Sequence, residues 1–338
     1  MTLLVFVGSL LGAMALGMPI AFALLVSAVV MMLHIDAFDA QSMALQMLNA
    51  SDSFALLAVP FFLLAGEAMT AGGLSRRLVN FALALVGHLR GGLGYVAVIA
   101  AVLLSSMSGS AVADTAALAA VLVSMMRRAG YVVGRSAALM ASGGIIGPVI
   151  PPSIGFIVFG VAANVSITSL FLAGIVPGLM MAAALAITWA LLARKEKVQP
   201  MPRKSWAEAA EALRDGLLAL GLPLIILLGL KFCIFTPTEA GVVAVVYAIP
   251  VGMFGYQELK PSMLPGVLVA AVGTSAAVMF LVACAAVTAY LITIAEIPGQ
   301  IRPLLEPFMD NRVLLMAVMM LLVVVVGTAL DFIPTILN

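Results

Sequence analysis

Residues 90–128 read RGGLGYVAVIAAVLLSSMSGSAVADTAALAAVLVSMMRR. Two apolar arms flank Ser105-Ser106-Met107-Ser108-Gly109-Ser110, and arginines close both ends. A membrane-spanning helix takes about 20 apolar residues. The serine-rich break leaves each arm about a dozen residues or slightly more, and at roughly 1.5 Å per residue such an arm reaches little beyond half a bilayer. Either the segment crosses once with a polar flaw in the middle, or it turns back at the serines.

The basic residues elsewhere decide between these. Further apolar stretches run over 2–33, 54–70, 136–163, 169–193, 217–235, 240–256, 263–295 and 313–337. Arg76, Arg77 and Arg90 fall in one connection, and Arg127, Arg128 and Arg135 in another. Arg194, Lys195, Lys197, Arg203, Lys204 and Arg214 share a third, and Lys260 lies in a fourth. The alternate connections hold only Lys231, Arg302 and Arg312, so thirteen of the sixteen Lys and Arg lie on one side. By the positive-inside rule that side is the cytoplasm. The division holds only if 93–126 enters and leaves by the same face. The charges therefore predict a re-entrant hairpin, open to the cytoplasm, with its tip at Ser106–Ser110.

The composition agrees with a membrane solvent. The chain is 64% hydrophobic and 9% charged, whereas a soluble domain carries about a quarter charged residues. A net charge of +1 leaves no basic face for nucleic acid. Cys233 and Cys284 sit apart in apolar segments and read as packing residues. The stretch 2–33 is too long for a signal peptide and lacks a basic start, so it is expected to be one retained spanning helix with a cytoplasmic N-terminus. Segment 78–89 is expected to lie as a short helix along the cytoplasmic surface. Residues 194–216 form a basic cytoplasmic linker between membrane halves 1–193 and 217–338. Within that linker, Ser205 and Glu208 make a capping box that opens a short polar helix.

Ionisable residues inside a membrane are costly and mark candidate sites. Glu67, Asp114 and Asp331 are the three. Glu67 lies close enough to Arg76 and Arg77 to form an interfacial pair. Asp114 follows the hairpin tip by one turn, where a carboxylate either caps the second arm or helps to hold a cation. The stretch 136–163 is interrupted by Gly147-Pro148 and Pro151-Pro152, which predicts a broken helix. A hairpin tip and a broken helix at the midplane expose backbone groups, tolerable in lipid only where they line a cavity. Oxygen donors without thiolate or imidazole suit an alkali cation such as sodium. The start of the second arm offers a helix N-terminus to a carboxylate-bearing solute. The candidate ion-binding residues are Ser106, Ser108, Gly109, Ser110, Gly147 and Pro151. The candidate solute-binding residues are Asp114, Thr115, Pro152, Ser153 and Asp331. Small residues at the tip also serve close helix packing, and both readings stay open.

Several stretches resemble the large membrane subunit of tripartite ATP-independent periplasmic (TRAP) transporters. These are Ser108-Gly109-Ser110-Ala111-Val112-Ala113-Asp114-Thr115, Gly147-Pro148-Val149-Ile150-Pro151-Pro152-Ser153, Pro60-Phe61-Phe62 through Glu67 with Gly72-Gly73-Leu74-Ser75-Arg76-Arg77, and Phe235-Thr236-Pro237-Thr238-Glu239-Ala240-Gly241. The resemblance implies an all-α polytopic protein of the bacterial inner membrane with an inverted-repeat, elevator-type fold. It implies sodium as the coupling ion, no other cofactor and no enzymatic activity. It also implies two partners: a small four-helix membrane subunit and a periplasmic binding protein that delivers an organic acid, the nearest members handling sugar-derived acids. Members of the family run further, so Gly327 to Thr335 is expected to begin a second hairpin within a C-terminally truncated, incomplete second repeat.

Two other classes compete. A cation-coupled carboxylate symporter of related fold would work without a binding protein. An intramembrane serine protease would need a histidine level with Ser106–Gly109, but His34 and His88, the two present, are placed near the membrane surfaces. No Walker motif occurs, so ATP does not power this subunit.

Overall fold

The computed structural model describes residues 2–108, 111–195, 198, 201–203, 205–297, 299–300 and 311–329. Among them every regular element is a helix, and five helical segments are long and apolar enough to cross a membrane. The chain is an all-α, polytopic membrane protein. Its contacts divide it into two compact units. One draws on Met1–Leu56, Val161–Ala163 and Ala276–Asn338, the other on Leu57–Gly160 and Asn164–Ser275.

In the first unit, the single helix expected over 2–33 is instead two, α1 (Thr2–Ala15) and α2 (Ile20–His34). Gly17 takes a left-handed φ of 80°, and Met18 N–H returns to the Ala13 carbonyl at 3.2 Å, the pattern that ends a helix at a glycine. Pro19 then opens α2 without an N–H to satisfy. Phe6, Leu10 and Ala13 share one buried cluster with Ala23, Leu24, Ala28 and Met31, so the two helices fold back on each other. Thr2 and His34 thus lie at the same end of the pair, and the premise for a cytoplasmic N-terminus is lost. Hydropathy missed the turn because Gly17-Met18-Pro19 hardly lowers the apolar average. The short α3 (Ala40–Ser51) follows, its N-terminus capped by Asp39, which accepts from Gln41 N–H at 2.9 Å.

The second unit opens with α4 (Ala58–Ala71) and α5 (Leu74–Val86). Leu74, Leu78 and Ala82 lie fully buried along one stripe of α5, as an amphipathic surface helix requires. The predicted hairpin comprises α6 (Gly92–Ser108) on one arm, and α7 (Ala111–Leu118), a π-helical turn (Ala119–Val123) and α8 (Ser124–Arg128) on the other. Its first arm has 17 residues, roughly 25 Å, longer than the serine break implied, because the helix continues through Ser105 to Ser108. The broken helix follows as α9 (Val133–Gly144) and α10 (Ile154–Ala162).

Next come α11 (Ile167–Ala193), α12 (Trp206–Lys231) and α13 (Pro237–Pro250). The Ser205–Glu208 capping box forms, with Ser205 N–H on Glu208 Oε2 at 2.7 Å. It opens not a separate polar helix but α12 itself, which runs on unbroken into the apolar stretch. A second capping box, Thr236 with Glu239, starts α13, with Pro237 in its first turn. Ala240, Ala244 and Ala248 are fully buried on one ridge of α13. Beside them an added Cβ on Gly241 would stand 2.9 Å from Phe61 Cβ on α4. Two of the quoted motifs therefore form one close helix–helix contact of small residues. The chain continues through α14 (Leu264–Ile294) and α15 (Arg312–Ala329). The C-terminal part of α14 returns to the first unit, where Cys284 and Leu291 join the α1–α2 cluster. Cys284 is the buried packing residue expected, while Cys233 is exposed.

The basic connections of the second unit meet at one end. Arg76 and Arg77 both bond Glu258 Oε1 at 2.8 Å, and Arg77 lies 3.9 Å over the Tyr256 ring. Tyr256 O–H donates to the Asp215 carbonyl at 2.6 Å, and Arg90 donates to the Arg194 carbonyl at 3.2 Å. The partner of Arg76 and Arg77 is thus Glu258, not Glu67. Arg77 is the less exposed of the two guanidiniums, at 20% against 65%, so it carries most of the pair's worth. Glu258→Gln is expected to lower the thermal unfolding midpoint by an amount equivalent to about 1 kcal/mol, read on the purified subunit at low salt.

Candidate functional site

The second arm of the hairpin starts against the break between α9 and α10. Asp114, in the first turn of α7, is 3% exposed. A Cβ built on Gly147 would stand 2.6 Å from Asp114 Oδ2 and 3.5 Å from Ala111 N. A Cβ on Gly144 would overlap Thr115 Oγ1 and lie 2.8 Å from the Ala111 carbonyl oxygen. Both glycines are there because the hairpin's carboxylate, hydroxyl and backbone come too close for any side chain. Thr115 donates its hydroxyl proton to the Ala111 carbonyl at 2.7 Å, which leaves its oxygen lone pairs as acceptors. A helix N-terminus, a carboxylate and the C-terminal carbonyls of α9 therefore converge, a concentration of hard oxygen donors beside a positive helix end.

The break is buried from Ile146 through Ser153, apart from the half-buried Val149. Gly147 N–H bonds the Gly144 carbonyl at 3.0 Å, and Ile150 N–H bonds Ile146 at 3.1 Å, so the helix ends in tight turns. The Pro151–Pro152 peptide is cis. Ser153 is fully buried, donates its hydroxyl to the Pro148 carbonyl at 2.6 Å and accepts from Phe156 N–H at 3.4 Å. Its proton is spent closing the break and capping α10. Pro151 and Pro152 are buried beside it. On the far side α11 presses in, where a Cβ on Gly174 would overlap the Val149 carbonyl and one on Gly178 would overlap Ile150.

The sequence divided these residues between an ion site and a solute site, yet Gly147 from the first group touches Asp114 from the second. Ser106 and Ser108 fall in the last turns of α6 by backbone. Gly109, Ser110, Asp331 and the expected second hairpin tip lie outside the described residues. Gly144, Gly174 and Gly178 were missed, although Gly174-x-x-x-Gly178 is a recognisable close-packing signal in an apolar helix. His88 lines a small cavity with Leu83, Gly87, Met201 and Arg203 at the basic end.

Residues 7–338 match the family model of the tripartite ATP-independent periplasmic transporter, DctM component. The chain belongs to this family of TRAP transporter large permeases. A Haemophilus influenzae protein described as a TRAP transporter large permease is 52% identical over 337 residues, covering 100% of this chain and 79% of that protein. The 2,3-diketo-L-gulonate TRAP transporter large permease YiaN of Escherichia coli K12 is 51% identical over 337 residues, with the same coverage. The sialic acid TRAP transporter large permease SiaM of Vibrio cholerae is 36% identical over 328 residues, covering 96% of this chain and 77% of that protein. The TRAP large permeases are membrane transport proteins, not enzymes, and the residues of the hairpin and break fall within the matched region.

Proposed function

We propose that this permease imports an organic acid, driven by sodium, through a site formed where the start of α7 meets the α9–α10 break. The observation that supports it is the close approach of Asp114 and Thr115 to Gly147 and Gly144. That arrangement offers oxygen ligands for a sodium ion and a helix N-terminus for a carboxylate. Ser106, Ser108, Gly109 and Ser110 would complete the ion ligands, with Pro151, Pro152 and Ser153 shaping the opposite wall. The likeness to a diketogulonate permease favours a sugar-derived acid. The partners are a small membrane subunit and a periplasmic binding protein that carries the solute. In proteoliposomes holding both membrane subunits, uptake is expected only with an inward sodium gradient and loaded binding protein. Uptake of free solute without the binding protein would select the stand-alone symporter instead.

In the membrane orientation we propose, the hairpin α6–α8 is re-entrant from the cytoplasm and the N-terminus faces the periplasm, a reading that the pairing of α1 with α2 supports. Cysteines at Gly92 and Arg128 are expected to label from the cytoplasm, and one at Leu3 from the periplasm. Labelling of Gly92 and Arg128 from opposite faces would sink the re-entrant topology. Cytoplasmic labelling of Leu3 would return α1 and α2 to a single crossing.

A further inference from the structure

One helix packs against both the break and the base of the hairpin. At Gly174 and Gly178, α11 packs against Val149, Ile150 and Phe156 of the break. Roughly 22 Å further along, the same helix places Trp189, 1% exposed, at the base of the hairpin. The indole Nε1–H donates to the Gly91 carbonyl at 2.8 Å. The ring fills the space over Gly94, where a Cβ would overlap it. Tyr131 stacks on it, at 6.1 Å between centroids and 29° between planes. Gly91 immediately precedes α6 and Tyr131 follows α8, so Trp189 holds both feet of the hairpin. Gly91 itself has a left-handed φ of 74°, and a Cβ there would lie 2.5 Å from Ala193 Cβ.

We infer that Trp189 is a positioning residue for the site, a reading that rests on the function proposed above. Apolar ridges alone allow one helix to slip past another by a turn, about 5.4 Å. A hydrogen bond to a single carbonyl, in a slot cut by two glycines, does not. With α11 keyed to the break at Gly174 and Gly178, Trp189 sets how deep the hairpin sits. It thereby sets the register at which Asp114 and Thr115 meet Gly147 and Gly144.

A cross-link reads that register without reference to sodium. A Cβ on Gly143 of α9 would stand 3.2 Å from Ala101 Cβ of α6. The pair Ala101→Cys with Gly143→Cys is therefore expected to oxidise readily to a disulfide in the full chain. Adding Trp189→Phe, which keeps an aromatic ring and loses the N–H, is expected to slow that oxidation at least threefold in the folded fraction isolated by size exclusion. Gly94→Ala, which pushes the indole from the other side, is expected to do the same. In the protein without added cysteines, Trp189→Phe is expected to raise the sodium concentration for half-maximal uptake severalfold, with a smaller change in maximal rate per folded transporter. Unchanged cross-linking in both variants, even with less folded protein, would overturn the positioning role. Slowed cross-linking with uptake indifferent to sodium would keep it and overturn the sodium reading alone.

Discussion

Gly144→Ala is expected to abolish uptake and to lower the unfolding midpoint of the purified subunit. A single methyl at this position overlaps Thr115 Oγ1 and sits 2.8 Å from the Ala111 carbonyl oxygen. Neither can yield cheaply, because Thr115 is tied to that same carbonyl and the carbonyl is helix backbone. Overpacking of this kind costs about 1–3 kcal/mol, and in a transport site the displacement matters more than the stability. Thr115→Ala in the Gly144→Ala background removes the worst overlap. It leaves the Ala111 oxygen and, at 3.0 Å, the Thr115 β-carbon. The double variant should therefore regain part of the lost midpoint. If Thr115 supplies a sodium ligand, the double variant should still transport poorly, which separates packing from ligation in one cycle. Normal uptake by Gly144→Ala alone would mean that the hairpin and the break do not meet as described.

What the sequence revealed here depended on where its punctuation fell. The two arms were legible because serines break the middle of the segment, and the folded chain brings both their feet, Gly91 and Tyr131, to Trp189. The broken helix was legible because Gly147-Pro148 and Pro151-Pro152 cannot continue a helix. The turn between α1 and α2 was invisible to an average over apolar residues, although Gly17 and Pro19 marked it. Glu67 was assigned to Arg76 and Arg77 by nearness along the chain. The true partner, Glu258, is nearly two hundred residues away, and only the folded chain brings it there. Within the site, Asp114 and Gly147 were each legible as unusual residues in an apolar setting. That they touch was not legible, because distance between two helices is set by the glycines on both and not by either motif alone. Trp189 read as one more apolar residue, since its N–H gains meaning only from the Gly91 carbonyl it reaches.

Asp114→Asn is expected to raise the sodium concentration for half-maximal uptake by roughly tenfold or more, the equivalent of at least about 1.4 kcal/mol in ion affinity. The substitution keeps the shape of a side chain that is 3% exposed and removes only its charge. Asp114 has a second use, as an acid in the first turn of α7 that complements the helix dipole. Loss of that role costs up to about 2 kcal/mol of stability at a buried position and leaves the ion untouched. The two roles therefore divide by readout: a shifted sodium curve with little change in unfolding midpoint marks the ion site, and the converse marks the cap. Asp114→Glu sharpens the division, because it restores the charge but adds a methylene where Oδ2 already stands 2.6 Å from the missing Cβ of Gly147. A longer acid at the same helix position still complements the dipole, so a pure cap should be rescued by glutamate. A carboxylate that must fit between Gly147 and a sodium ion should not be. An unshifted sodium curve in Asp114→Asn, with a lowered unfolding midpoint that Asp114→Glu restores, would remove Asp114 from the ion site and leave it as the cap of α7.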